Sequence, residues 1–204
     1  MLNEKVKIAV FVSGGGTNLQ AILESERRGE IPDGEIKLVL SNNPNAYALE
    51  RAKNFGVKAV CVDKSIYKTI EEREQKTIQV LKENGIELIV LAGYLSILSE
   101  NFTKRYSGRI INVHPSLIPS FCGKGYYGLK VHEEALKYGV KVTGATVHFV
   151  NEIPDGGKII MQRAVKIKEN DTPETLQKRV MEQAEWKILP ASLEQVCKSL
   201  LKGE

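Results

Sequence analysis

Residues 109–119, RIINVHPSLIP, place two chemically active side chains, Asn112 and His114, one residue apart at the end of an apolar run. On an extended strand, residues i and i+2 point to the same face. Asn112 and His114 are therefore expected to project together, with Val113 turned away. Pro115 then ends the pairing, because it has no backbone donor. An amide beside an imidazole offers hydrogen-bond donors together with a proton donor or acceptor, which suits an oxyanion forming on an acyl carbon. Taken alone, Asn-x-His-Pro fits a strand-end histidine bonded to the following turn better than it fits a catalytic pair. The rest of the chain shifts that balance.

A second stretch with chemical content is Ser13-Gly14-Gly15-Gly16-Thr17-Asn18. It follows the apolar run 7–12 and precedes a helical pattern carried by Leu19, Ala21, Ile22 and Leu23. Strand, glycine turn and helix open a mononucleotide-binding unit: the glycines permit a tight turn, Thr17 or Asn18 is placed to cap the helix, and free amides at its start suit a phosphate. The alternative is a plain glycine turn. No Gly-Lys-Ser/Thr follows, so it is not a Walker loop. Leu19 stands where a dinucleotide fingerprint has its third glycine, and Ser41-Asn42-Asn43-Pro44 supplies no acid for a ribose, which disfavours a dinucleotide.

These stretches need elements to position them. Apolar runs at 36–40, 57–62 and 86–92 read as further strands, alternating with helical patterns at 47–55, 68–84 and 101–106. In the long helix the apolar stripe is Ile70, Ile78 and Leu81. Short connections between alternating strands and helices imply a parallel, doubly wound sheet. Leu95, Ser96, Ile97 and Leu98 follow the fourth strand, at the carboxyl edge where ligands sit in such sheets. There Leu95 and Leu98 either line a pocket for a flat ring or cap the core. Three glycines within 123–128 argue for a mobile loop before a helix at 129–138. Runs 140–150 and 158–167 read as an antiparallel pair, and Asp155 between them reads locally as a turn residue. Thr172-Pro173 is a helix start, with that helix running to about Leu189 and Pro190 beginning another. The fold expected is α/β: a Rossmann-like, doubly wound, mostly parallel sheet continued by antiparallel C-terminal strands, with helices on both faces, in one domain over 1–204.

Composition excludes several classes of function. The chain has 204 residues, 42% apolar and 26% charged, with a net charge of +4. That charge is too small, and its lysines too dispersed, for a nucleic-acid binder. Cys61, Cys122 and Cys197 have neither metal nor redox spacing and are expected as free thiols in a reducing compartment. His114, His132 and His148 form no HExxH pattern, so no metal is expected. No run has the form of a signal peptide or the length of a membrane span, which points to a cytoplasmic protein with no membrane partner.

Read together, SGGGTNLQ, LAGYLSIL, INVHPSLIPSF, VTGATVHFV and DGG resemble the formyltransferase family that uses 10-formyltetrahydrofolate. The resemblance runs from residue 6 to about residue 200. NVHPS with a downstream Asp-Gly-Gly marks the wider family. The glycine loop and the short length mark the branch acting on glycinamide ribonucleotide. The resemblance implies catalytic roles for Asn112, His114 and Asp155. It implies contacts of Gly16, Thr17 and Asn18 with the phosphoribosyl end of the substrate, and of Glu185 with the ribonucleotide. Leu95, Ser96, Ile97 and Leu98 would wall the folate pterin pocket, with Asn112, Asp155 and the backbone of 151–155. Trp186 stands where the family usually has histidine. Ser96 and Ile70 fall at or near positions that carry arginine in some members, with Lys68 and Arg73 as neighbouring cations.

The implied reaction moves a formyl group from 10-formyltetrahydrofolate to the amine of glycinamide ribonucleotide in de novo purine biosynthesis. Its partners are small molecules, without metal, in a monomer or homodimer. A relative with another amine acceptor stays open. A transfer-RNA formylase would add an RNA-binding domain and a formyl-folate hydrolase an N-terminal one, for which the length leaves no room. A nucleotide-sugar formylase has no evident need of the glycine loop. A non-catalytic nucleotide-binding module would leave Asn112, His114 and Asp155 without purpose. In the implied chemistry Asn112 and an imidazolium at His114 donate to the oxyanion. Free histidine titrates at about 6.5, so a carboxylate, Asp155, is expected to raise His114. The strand ending near 150 is expected beside that ending at Asn112, with both loops leaving at one edge and Gly156 and Gly157 turning the chain away.

Overall fold

The computed structural model describes residues 5–203; residues 1–4 and 204 of the expected domain lie outside the described residues. The first half alternates strands and helices: β1 (Val6–Val12), α1 (Thr17–Arg27), β2 (Gly34–Ser41), α2 (Tyr47–Asn54), β3 (Lys58–Cys61), α3 (Ile70–Glu83), β4 (Leu88–Leu91), α4 (Glu100–Arg105) and β5 (Ile110–His114). Then come α5 (Leu129–Tyr138), β6 (Val142–Phe149), β7 (Ile159–Lys166), α6 (Pro173–Val180), a π-turn at Met181–Glu185 and α7 (Trp186–Lys202). The strands form one sheet in the order β3-β2-β1-β4-β5-β6-β7. β1 to β5 pair in parallel, while β6 and β7 are antiparallel. The strand order reverses between β1 and β4, so their carboxyl ends open the crevice in which such sheets bind ligands. Among the described residues no helix is long and apolar enough to cross a membrane.

Alternation along each strand feeds two cores. Val10, Val12, Val90, Ile111, Val113 and Val147 face one side, under Leu19, Ile22, Leu176, Val180, Leu189 and Leu193 of α1, α6 and α7. Ala9, Phe11, Leu40, Ile89, Leu91 and Ile110 face the other, under Val80 and Leu81 of α3 and Phe102 of α4. Asn112 and His114 follow Ile110 on this second face. There the roof consists of the loops at 115–128 and 150–158, which contact His114 directly.

Several expectations are corrected. The buried face of α3 is Thr77, Val80 and Leu81. Ile70, expected in the apolar stripe, sits in the first turn and is 46% exposed. Neither Thr17 nor Asn18 caps α1: Gly16 is the N-cap, in the left-handed conformation, with no side-chain bond. Pro190 begins no new helix but lies inside α7. Pro190 has no N–H for the carbonyl four residues back, that of Trp186, and the wider π-turn ends just before that residue. The expected start at Thr172-Pro173 holds, with Thr172 in a capping box.

Candidate active site

The loop after β1 is tied to its surroundings through its carbonyls. Ser13 also accepts the Leu95 N–H on its Oγ (2.9 Å) and donates its own N–H to the Gly93 carbonyl (3.2 Å), joining the loops that follow β1 and β4. Gly16 has φ 72°, and a Cβ there would lie 2.6 Å from the Ala48 Cβ, so glycine is required for close packing on α2 as well as for its backbone angle. Gly14 and Gly15 are exposed, with open space where a Cβ would stand. The first-turn amides of α1 beyond them form the helix N-terminus that suits an anion.

Asn18, expected as a cap, turns instead to the π-turn and donates to Glu185 Oε2 at 2.7 Å. Glu185 is buried, and burial pushes its carboxyl up to about 7, opposed by the bond from Asn18. The Asn18 Oδ1 is buried without a partner among the described residues. A half-titrated acid and an orphaned acceptor together can receive the donor groups of a ligand. Thr17, the other expected contact, is exposed, with its hydroxyl against Met181 Sδ. Trp186, Thr17, Gln20, Arg51 and Lys187 line an adjoining cleft of about 490 Å³.

The second cluster stands two strands away, roughly 10 Å by strand spacing. In the β5–β6 register Asn112 pairs with His148 and His114 with Thr146. All four share one face. Asp155 Oδ2 lies 3.4 Å from His114 Nδ1, and Oδ1 lies 3.5 Å from His148 Nε2. His114 Nε2 donates to the Phe121 carbonyl (2.9 Å), and the Gly123 N–H donates to Asp155 (2.8 Å). The three residues expected together are thus brought together, by a different route. Because β6 runs antiparallel to β5, its loop leaves at the far end and folds back over Asn112 and His148. Asp155 itself adopts positive φ (56°) in that return. Gly157 serves close approach, since a Cβ there would fall on the Phe149 carbonyl.

The expected charge state of His114 is also corrected. Burial lowers its pKa, outweighing Asp155 and the Phe121 carbonyl, which raise it. Asp155 stays low: burial would raise it, but the His148 ring, the His114 ring and the Gly123 N–H together win. The resting pair is a carboxylate beside a neutral imidazole, able to take up a proton at Nδ1. His148 is the group that sequence reasoning missed. Its Nδ1 donates to the Phe149 carbonyl (2.8 Å), leaving Nε2 to accept from Asn112 Nδ2 (3.2 Å). The available signal was its i+2 spacing from Thr146 in an alternating strand.

The segment after β4 divides. Leu98 packs on the second core, whereas Leu95 and Ile97 are 67% and 73% exposed. Ser96 accepts from Asn42 Nδ2 (2.6 Å) and, with Ile97, Leu98, Ile70 and Arg73, lines a small pocket of about 20 Å³. Arg73 donates to the carbonyls of Tyr67 and Lys68. Among the described residues no group of three or more His, Cys, Asp or Glu stands together as a metal site.

Comparison with known proteins gives the family of the chain. Residues 6–193 match the formyl transferase family. The phosphoribosylglycinamide formyltransferase of Bacillus subtilis is 37% identical, over 97% of this chain and 98% of that protein. The trifunctional purine biosynthetic protein adenosine-3 of Gallus gallus is 44% identical over 94% of this chain, which spans only 18% of that longer protein. Among solved structures, glycinamide ribonucleotide transformylase 1 from Symbiobacterium toebii superposes with a TM-score of 0.89 at 38% identity, covering 96% of this chain and 89% of that one. In sequence and in fold alike, the chain belongs to the formyl transferase family.

Proposed function

We propose that this chain transfers the formyl group of 10-formyltetrahydrofolate to the amine of glycinamide ribonucleotide, giving formylglycinamide ribonucleotide and tetrahydrofolate. The observation that carries the reading is the convergence of Asn112, His114 and Asp155 at the end of β5. The glycine loop takes the phosphate on the amides around Gly16, Thr17 and Asn18. Asn18 and Glu185 receive the donors of the ribonucleotide. Leu95, Ser96, Ile97, Leu98 and the 151–155 backbone wall the folate ring.

The amine attacks the formyl carbon, a C–N bond forms, and negative charge collects on the formyl oxygen. The second amide hydrogen of Asn112, whose first is held by His148, would donate to that oxygen. The attacking nitrogen must lose a proton, and His114, neutral at rest and backed by Asp155, takes it. The resulting imidazolium is stabilised by Asp155 and by the Phe121 carbonyl. It returns that proton from Nδ1 to the folate nitrogen as the C–N bond to folate breaks. Charge develops where the site already holds complementary dipoles, so the interaction strengthens in the transition state. The single domain, the cytoplasm as its compartment and small molecules as its partners belong to the same reading.

The test is ultraviolet-monitored conversion of a formyl-folate with glycinamide ribonucleotide, compared with a nucleotide amino-sugar and an aminoacyl-transfer RNA. Turnover with the ribonucleotide alone is expected. Preference for either other acceptor overturns the substrate assignment but leaves formyl transfer intact.

A further inference from the structure

Successive carbonyls of the glycine loop are each pinned by a donor. Ser13 O accepts from Asn43 Nδ2 (3.2 Å), Gly14 O from the Ala48 N–H (3.1 Å), Gly15 O from Arg51 Nε (2.7 Å) and Gly16 O from the Gln20 N–H (2.9 Å). A trans peptide is planar, with its C=O and the next N–H pointing in opposite directions. Pinning a carbonyl on one side therefore aims the following N–H to the other. The bonds at Gly14, Gly15 and Gly16 orient the N–H groups of Gly15, Gly16 and Thr17 in turn. Two of those three donors are backbone amides. The third is a side chain, the half-buried Arg51 in the last turn of α2.

Arg51 is itself held. Its NH1 donates to Gln20 Oε1 (3.0 Å), and its guanidinium carbon lies 5.0 Å from the centre of the Tyr47 ring. The planar fork thus bridges the loop, α1 and α2. Gly15, with no side chain and open space around it, has nothing of its own to fix the plane of its peptide. We infer that Arg51 is the positioning residue of the phosphate cradle: through the Gly15 carbonyl it fixes the Gly15–Gly16 peptide and aims the Gly16 N–H at the ribonucleotide phosphate. This rests on the phosphate assignment made above.

The test uses Arg51→Met, which keeps the apolar stem, and Arg51→Lys, which keeps the charge but lacks the planar fork. Each is assayed with glycinamide ribonucleotide and with its dephosphorylated riboside. The parent is expected to favour the ribonucleotide; no preference in the parent would remove the phosphate assignment before Arg51 is in question. Arg51→Met is expected to raise KM for the ribonucleotide about 10-fold, the scale of one charged hydrogen bond. Its kcat, its kinetics with the riboside, its Tm and its affinity for a folate analogue should stay unchanged. Arg51→Lys should recover only part of the loss. Equal losses with both acceptors, an unchanged KM, or full recovery by lysine would each overturn the positioning role. If Arg51→Met lowers Tm by more than a few degrees, Arg51→Lys carries the same comparison alone.

Discussion

The two ends of the site are built from different materials. The cradle after β1 is backbone, contiguous over residues 13–18, with its peptide planes set by neighbouring helices. The cluster at β5 and β6 is made of side chains, Asn112, His114, His148 and Asp155, gathered from three separated segments. A backbone site keeps its partial charges at any pH and depends on shape. A side-chain cluster depends on protonation, and here burial competes with a carboxylate for control of one imidazole. The contrast teaches that geometry limits one half of the site and desolvation limits the other. Substitutions on the two sides should therefore fail in different ways.

The largest effect is expected at Asp155. Asp155→Asn keeps the shape and leaves an acceptor for the Gly123 N–H, but removes the charge beside His114. Since a carboxylate favours the imidazolium, the His114 pKa should fall further below its already lowered value. Turnover should drop by about 10²- to 10³-fold, the scale of losing a preorganised electrostatic partner. Affinity for both ligands should barely change, because the lost interaction belongs to the transition state. NMR titration of His114 in parent and variant reads this directly; identical pKa values would remove the electrostatic role whatever the rate did.

Glu185 lies on the cradle side yet behaves like the cluster, and its titration sharpens the comparison. In the folded chain it holds its proton up to about 7, against 4.5 for an ordinary glutamate. The folded state thus binds the extra proton between these values. Its contribution to stability is complete below the unfolded pKa and is lost as pH rises through the folded one. A difference of that size corresponds to roughly 3 kcal/mol. Glu185→Gln still accepts from Asn18 but cannot ionise, so urea unfolding should show less loss of stability between pH 5 and 8 than in the parent. Equal losses would mean that Glu185 does not control this slope.

Within the cradle, Gly15 and Gly16 separate shape for the ligand from shape for the fold. Gly15→Val meets open space, so the fold should tolerate it, while its side chain crowds the neighbouring amides. KM for the ribonucleotide should rise about 10-fold with folate-analogue affinity unchanged, one crowded hydrogen bond being worth about that factor. Gly16→Val, by contrast, collides with Ala48 and needs a left-handed backbone, so it should lower Tm and impair both ligands together. If Gly15→Val also lowered both affinities, the distinction would collapse.

Much of this was legible in the chain itself. Apolar runs with short connections gave the doubly wound sheet, and the i, i+2 spacing of Asn112 and His114 placed them on one face as read. Glycines before an amphipathic pattern located the turn and helix start that the proposed function uses as its cradle. What could not be read depended on non-local terms. Ala48, thirty-two residues away, decides why Gly16 must be glycine. Antiparallel register brings His148 opposite Asn112, and no spacing in the chain states that. The charge of His114 depends on how deeply two loops bury it. That Pro190 lies inside α7, with the π-turn ahead of that helix, reflects a helix packed along its length, which local propensity does not describe.

The smallest effect concerns a histidine that resembles His114 only in burial. His132 on α5 is fully buried, and neither of its ring nitrogens has a partner among the described residues. Burial first, and then the His114 ring, push its pKa down to about 4. His114 has an acceptor at each nitrogen and so keeps access to the protonated state; His132 has none and is excluded from it. A buried unpaired polar group costs about 1–3 kcal/mol, so His132→Leu should stabilise the fold by roughly 1 kcal/mol once imperfect packing is subtracted. The gain should grow as pH falls. The folded pKa lies below the unfolded one, so the stability His132 allows is present above the unfolded pKa and is lost on acidification toward the folded value. Leucine has no such loss. Urea midpoints at pH 7.5 and pH 5 decide the matter: a variant less stable than the parent at both would show that His132 packs better than its missing partners imply. A gain that widens at pH 5, with turnover unchanged, would confine the chemistry to the histidine that has partners.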